Sequence, residues 1–430
     1  MIRLVHLAEL TPDERTALTR RSVVPDPRIL AEAARIVDDV RRGGHPAVVA
    51  ANLAHGGGRR DGTTTVSLDE RDAAYAEADP DFLAAVEAAV SNIRRVHEAQ
   101  RPADGTIEPV PGVRVERRWT PLRRVGVYVP GGRAAYPSSL LMGVVPAQVA
   151  GVDEIAVVTP ADGEGRPNPA VLAAAAFLGI DEIHATGGAQ AIGALAHGTE
   201  EIPRVDKIVG PGGAWVTAAK LAVHGVVGVD LPAGPSEAAV VVDETADPEI
   251  AAADLLCQAE HGPDSAVLLV ATDAEIAARV LAETERRLRR LARRDLVAAA
   301  LEDHGLAVVA PDHDAALAFV EAWAPEHLTL HTRDPHRDAE AVPSAGSVFL
   351  GTWTPESAGD YATGANHVLP TGGLARAHGP LSTEDFGSWR QIQELTPDGL
   401  RRLAPTIRTL AHTEGLTAHA ACVDVRLEAR

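Results

Sequence analysis

From residue 112 onward the chain alternates short Val/Ile runs, Gly/Pro turns and Ala-rich helical segments, and that alternation restricts it to a parallel α/β architecture. The strand-like runs appear in "RRVGVYVPGG", "DEIAVVTPADG", "DEIHATGG", "DKIVGPGG" and "GVVGVDLPAG". A second series follows in "EAAVVVDETADPEIAAADLLCQAEHG", "SAVLLVATD" and "LAVVAPDHDAALAFVEAWAPEHLTL". Two α/β layers in tandem are the simplest account, spanning 112–235 and 236–380. Residues 1–111 read as a helical N-terminal portion, because "DPRILAEAARIVDDVRRGG" and "DPDFLAAVEAAVSNIRRVHEAQRP" carry apolar residues at helical spacing. The basic stretch "EIAARVLAETERRLRRLARRDLVAAALEDHG" reads as a helix with a solvated face. Residues 381–430 show two helical patterns with too little apolar surface for a core of their own. Such a tail either covers its own body or crosses to a partner subunit.

Composition excludes whole classes of function. A chain of 430 residues with formal charge -20 has little attraction for nucleic acid or anionic membranes. The most apolar stretch, Leu140 to Val152, is interrupted by Pro146 and Gln148 and is too short to span a bilayer. Two cysteines, Cys257 and Cys422, cannot build a disulfide framework, and the start "MIRLVHLAEL" lacks the pattern of a signal peptide. A cytoplasmic enzyme is expected. Lysine occurs only at Lys207 and Lys220, so Schiff-base chemistry would have to use one of those two.

Four constellations carry chemistry. In "DLLCQAEHGPDS", Gln258 and His261 fall at i and i+3 near the end of a helix that Gly262 and Pro263 stop, a spacing able to chelate. In "WAPEHLTL", Glu326 and His327 follow a helix-stopping proline, His327 as candidate general base and Glu326 as candidate activator of water. The loop "WTPESAGDYATGANHVLPTGG" brings Glu356, Asp360 and His367, and "HTEGLTAH" in the tail brings Glu414 and His419. Gln258, His261, Asp360 and His419 together offer the mixed nitrogen and oxygen donors suited to zinc or a similar divalent ion. There is no HExxH, paired CxxC, GxxxxGK[ST] or GxGxxG in the chain. Cys257 points some 100° away from its neighbour Gln258 around the helix, which makes it a packed, inert thiol.

The strings "VGVYVPGGRAAYPSS", "GGAQAIGALAHGT", "VGPGGAWVTAAK", "LPAGPSE", "LLCQAEHG", "APEHL", "PESAGDYATGANHVLPT" and "EGLTAH" run in order from about residue 90 to the C-terminus and resemble the histidinol dehydrogenase family. The resemblance implies an intertwined homodimer whose subunits each hold two incomplete Rossmann-like domains, residues 112–235 binding NAD. The tail would reach into the neighbouring active site. It implies zinc, one per subunit, at Gln258, His261 and Asp360 of one chain and His419 of the other. The substrate would be L-histidinol, oxidised in two NAD-dependent steps through the aldehyde to L-histidine. His327 would be the base and Glu326 would help it activate water. Ser236, Glu356, His367 and Glu414 would contact substrate along with the metal ligands and His327; Tyr128, Gln190 and Gly213 would line the NAD site. Where the family usually reads "GPGNAYV" this chain reads "GPGGAWV", with Gly213 in place of Asn and Trp215 in place of Tyr. The segment "NLAHGGGRRDG" also lacks the usual Phe-Asp. These departures leave room for an alternative: a paralogue using the same zinc and His/Glu machinery on a non-imidazole alcohol such as sulfopropanediol.

Overall fold

A computed structural model of the chain describes residues 2–59, 61–131, 134–231 and 233–428. Within them the strands are β1 (Arg3–His6), β2 (Gly105–Val110), β3 (Val113–Pro121), β4 (Arg124–Tyr128), β5 (Glu154–Thr159), β6 (Glu182–Ala185) and β7 (Lys207–Val209). They continue with β8 (Gly228–Val229), β9 (Glu237–Val242), β10 (Ala266–Ala271), β11 (Gly305–Val309), β12 (His327–His331), β13 (Ser347–Leu350) and β14 (Gly387–Leu395).

These strands build two parallel sheets, ordered β6-β5-β4-β7-β8 and β1-β11-β10-β9-β12-β13, and one antiparallel sheet, β14-β3-β2. Counted from β4 and from β9, both parallel sheets run third, second, first, fourth, fifth strand; β1 adds one more outside β11. Every residue of β4 and of β9 is buried, as expected of parallel strands covered by helices on both faces. Helices Pro137–Ala150 and Pro169–Phe177 pack on one face of the first sheet. Helices Gly188–His197, Ala214–Val223 and Pro27–His55 pack on the other. The second sheet lies between helices Pro248–Ala259, Ala274–Leu288 and Arg294–Asp303 on one side and His313–Trp323 on the other.

The structure adds strands where the sequence pattern showed none. β1, in the N-terminal portion otherwise read as helical, extends the second sheet beside β11. β14, in the tail, pairs along its nine residues with β3. Both are exposed edge strands, and β14 carries polar residues on both faces, so the alternation that marks a half-buried strand is missing. The basic stretch is two helices rather than one, and Arg286 and Arg287 pair with Glu283 and Glu249 on its surface. Among the described residues no helix is long and apolar enough to cross a membrane.

The two parallel sheets meet at a crevice, and they meet by opposite ends. The loops that follow β4 and β7 contribute Pro130 and Pro211 to Gly213, while the residues that lead into β9 and β12 contribute Ser236, Glu326 and His327. Both lysines are occupied in structural ion pairs, Lys207 with Asp385 and Lys220 with Asp230. The second pair also clamps the turn after β7: Lys220 donates to the Gly210 carbonyl, and Asp230 accepts from its N–H at 2.7 Å. Gly210 has φ 114°, and a side chain there would overlap the Tyr128 carbonyl oxygen. Gly210→Ala is therefore expected to cost roughly 1–3 kcal/mol. An unchanged urea midpoint would show that this turn relaxes freely.

Candidate active site

The helix Pro248–Ala259 starts on Asp247, whose side chain accepts from the Glu249 N–H at 2.8 Å, with Pro248 at its first position. It ends where Gly262 and Pro263 prevent another turn. Gln258 is fully buried there, and His261 lies just past the last turn at the crevice rim. A second short helix, Glu356–Tyr361, packs against it and presents Glu356 and Asp360 at i and i+4. Two helix ends thus face each other with paired polar side chains. One ligand atom each from His261, Glu356 and Asp360 lies within 4.8 Å of the others.

The electrostatics of this cluster fit a cation. Both carboxylate oxygens of Glu356 are buried without a hydrogen-bond partner, and so is Gln258 Nε2. Burial, with the nearby Asp360 carboxylate second, pushes the Glu356 carboxyl well above the usual carboxylate range. Buried carboxylates are ordinarily paired or bound to metal, and among the described residues Glu356 has neither a hydrogen-bond donor nor a counter-charge. Gln258 Oε1 accepts from Ser236 Oγ at a long 3.4 Å. Turning the amide over would let Nε2 donate to Ser236 and leave Oε1, the atom a cation needs, without a partner.

The second half of the site is the pair at the head of β12. Glu326 Oε2 accepts from Ser236 Oγ at 2.8 Å and from the Glu237 N–H at 2.9 Å, and stands 3.6 Å from His327 Nδ1. Burial, then the neighbouring Glu237 carboxylate, raises its carboxyl well above the usual range. Burial lowers His327 to about 4, so its ring is neutral near pH 7. His327 Nδ1 lies 3.2 Å from the Glu237 carbonyl, His261 Nδ1 3.2 Å from the Gln258 carbonyl, and His367 Nδ1 3.1 Å from the Asp360 carbonyl. A carbonyl can only accept, so all three rings carry a proton on Nδ1, and in the neutral form Nε2 keeps its lone pair for a proton or a metal.

These residues line one crevice of about 270 Å³ that holds Ser236, His261, Glu326, His327, Asp360 and His367, with Gly213 on its opposite wall. An adjoining pocket of about 450 Å³ shares His261, Asp360, Tyr136 and Tyr361. Cys257 lines that pocket half-buried, its thiol pushed up to about 12 by burial and then by Glu356 and Asp360. It supplies no thiolate near neutral pH.

The sequence model of histidinol dehydrogenase matches residues 19–427. A histidinol dehydrogenase of Halobacterium salinarum is 46% identical over 426 residues, covering 98% of each chain. One from Caulobacter vibrioides is 49% identical over 365 residues, 85% of this chain and 84% of the relative. The crystal structure of histidinol dehydrogenase from Elizabethkingia anophelis superposes with a TM-score of 0.93 at 38% identity, covering 100% of this chain and 98% of that one. The chain belongs to the histidinol dehydrogenase family.

The family match begins well before residue 90, where the resemblance in sequence motifs set in. Of the residues singled out from sequence, Ser236, Glu326, His327, His261, Asp360 and His367 share the crevice, with Gln258 and Glu356 buried behind it. Tyr128 is buried in the first layer and does not line the crevice, its hydroxyl accepting from the Gly188 N–H at 3.2 Å. Gln190 lies deeper in the first layer, donating to Asn52 at 3.0 Å. Glu414 and His419 are exposed near and on the helix Thr417–Glu428 and do not line the crevice within one chain. Two contributors escaped notice. Glu237 bonds to both Glu326 and His327, and Arg21 pairs with Glu237. The one signal for Glu237 was a carboxylate heading the apolar run "AAVVV"; Arg21 offered none.

Glu356 allows a test with opposite signs. Its folded carboxyl titrates above the ordinary 4.5, so as pH rises through that window the unfolded chain sheds a proton that the folded chain keeps, and stability falls. In metal-free protein, Glu356→Gln should raise the melting temperature, with a larger gain at pH 8 than at pH 5. The same change should weaken zinc binding at least roughly tenfold. Equal gains at both pH values would mean that Glu356 is not the titrating group.

Proposed function

We propose that this chain catalyses the NAD-dependent, four-electron oxidation of L-histidinol through L-histidinaldehyde to L-histidine, as a cytoplasmic enzyme of histidine biosynthesis. The observation that carries the reading is the juxtaposition, in one crevice, of a neutral imidazole with a free Nε2, a carboxyl beside it, and a cluster of donors short of positive charge. Family membership supports the substrate. Nothing among the reported relatives favours a non-imidazole alcohol such as sulfopropanediol.

The residues that would hold zinc are Gln258, His261 and Asp360, with His419 of the partner subunit completing the set. Bound there, the ion supplies a template that orients the substrate's imidazole and amine. Held on the first α/β layer, NAD would supply the hydride acceptor for both oxidations. His327 accepts the hydroxyl proton at Nε2 in the first oxidation and, once neutral again, accepts a proton from water in the second. Glu326, 3.6 Å from His327 Nδ1, assists that water activation. Glu356 adds a buried carboxyl beside the metal ligands, and Ser236, His367 and Glu414 of the partner subunit add polar contacts. Both layers are read as incomplete Rossmann-like units, which their identical strand order supports.

The NAD site is assigned to Tyr128, Gln190 and Gly213, near the switch in strand order between β4 and β7. Gly213 caps the helix Ala214–Val223, and a side chain built on it meets nothing within 4 Å. Gly213→Asn should therefore fold normally and lower KM for NAD at constant kcat; an unchanged KM would remove Gly213 from the cofactor site.

Zinc-loaded protein should form two NADH and one histidine per histidinol. His327→Asn should lower kcat by roughly 10²- to 10⁴-fold with zinc content unchanged. Mixing inactive His327 and His419 variants examines the shared site: activity regained in hybrids supports a homodimer with crossed tails, and none regained counts against it.

A further inference from the structure

Arg21, ahead of the helix Pro27–His55, is far in sequence from every residue given a chemical role, yet its guanidinium lies beneath the active crevice. It pairs with Glu237 at the head of β9, the two side chains 16% and 5% exposed. It stacks on Trp323 at 3.4 Å from the ring centroid and donates to the carbonyls of Trp323 and Ala324, the latter at 3.2 Å. Ala324 is the one non-glycine with positive φ, 50°, among the described residues, and the chain turns there from the helix His313–Trp323 into Glu326 and His327. One side chain therefore grips the lead-ins to both β9 and β12.

Glu237 relays that grip. Its N–H donates to Glu326 Oε2 and its carbonyl accepts from His327 Nδ1. Its Oε1 accepts from the N–H of Glu326 at 3.3 Å and of Gly372 at 3.1 Å. It does not line the crevice, so it touches both proposed reacting groups without facing the substrate. A buried carboxylate with these bonds but no cation would carry an uncompensated charge, and a buried arginine without Glu237 would fare no better.

We infer that Arg21 and Glu237 form a buried positioning pair that fixes the orientation of Glu326 and the Nδ1–H tautomer of His327. This rests on the reading of those two groups as the acid–base machinery. Arg21 suits the task because its planar fork can satisfy a carboxylate and two carbonyls at once while its face stacks on an indole; a lysine ammonium cannot.

The test uses full-length, zinc-loaded enzyme carrying Arg21→Met, Arg21→Lys, and the double change Arg21→Met with Glu237→Gln. Per folded subunit, counted by zinc content, Arg21→Met should lose roughly 10- to 100-fold in kcat with KM for histidinol within about twofold of wild type. Arg21→Lys should fall between. The double variant, which leaves no unpaired charge and keeps an amide to hold the Glu326 and Gly372 N–H groups, should recover most of the loss. A lowered melting temperature with kcat per folded subunit unchanged would reduce the pair to a structural role and overturn the inference. The crystal structure of the same variants decides independently of substrate: the inference requires Glu326 and His327 to be displaced in the Arg21 single variants and restored in the double, and unmoved side chains overturn it. Wild-type enzyme inert toward histidinol would instead defeat the assigned reaction while leaving this geometric result standing or falling on its own.

Discussion

Buried negative charge is the constraint around which the crevice is built. Glu237, Glu326, Glu356 and Asp360 lie close enough to perturb one another, in a chain already at -20. Taking a carboxylate out of water is costly unless hydrogen bonds, a counter-charge or a proton compensates. The structure uses a different device for each. Glu237 has Arg21, Glu326 has Ser236 and a backbone N–H, and Glu356 has no partner among the described residues. The ordering is informative. The carboxyl with a fixed guanidinium is the one that holds others in place, the one with neutral donors can exchange a proton, and the orphan faces His261 and Asp360, where a cation would settle the balance.

Backbone carbonyls do the complementary work on the imidazoles. His261, His327 and His367 come from a helix end, a strand head and a loop, yet each has Nδ1 against a main-chain oxygen. A side-chain acceptor could swing away or take a proton; a carbonyl in a helix end or sheet does neither. That rigidity suits groups whose use depends on which nitrogen is bare. It also explains why the second sheet meets the site by its amino ends: the Glu237 carbonyl and N–H are both reachable there, at the start of β9, before the ladder with β10 and β12 consumes later ones.

Much of this was legible in the sequence, and for identifiable reasons. The α/β alternation stood out because parallel strands buried on both faces are nearly uniform runs of Val, Ala and Ile. Gln258 with His261, and Glu326 with His327, were conspicuous as polar pairs at element ends bounded by proline or glycine. Edge strands β1 and β14 were not legible, since their partners lie hundreds of residues away and their exposed faces leave no apolar period. The role of Glu356 in the cation cluster was half visible: its i,i+4 relation to Asp360 stands in the sequence, but the facing of that helix against Pro248–Ala259 does not. Arg21 was invisible for the plainest reason. A contact across 216 positions has no local signature.

The tail raises the last question, because within one chain the site is open where it ought to be closed. His261, Glu356 and Asp360 converge, but among the described residues none after Thr371 lines the crevice, and His419 is exposed. The two tail helices, Pro397–Thr413 and Thr417–Glu428, and the turn between them expose Leu410, Leu416 and Val425, and β14 and β2 expose Ile392, Leu395 and Ile107. A tail that served only to cover its own body would bury these apolar groups against it, and an exposed imidazole three residues from an exposed leucine gains nothing by itself. Both features are accounted for together if the tail is completed by a second copy of the chain, its apolar side chains buried in the contact and its His419 and Glu414 delivered to the neighbouring crevice. On that view the dimer is a condition of the chemistry, since each cluster of carboxylates would receive its fourth donor only from outside.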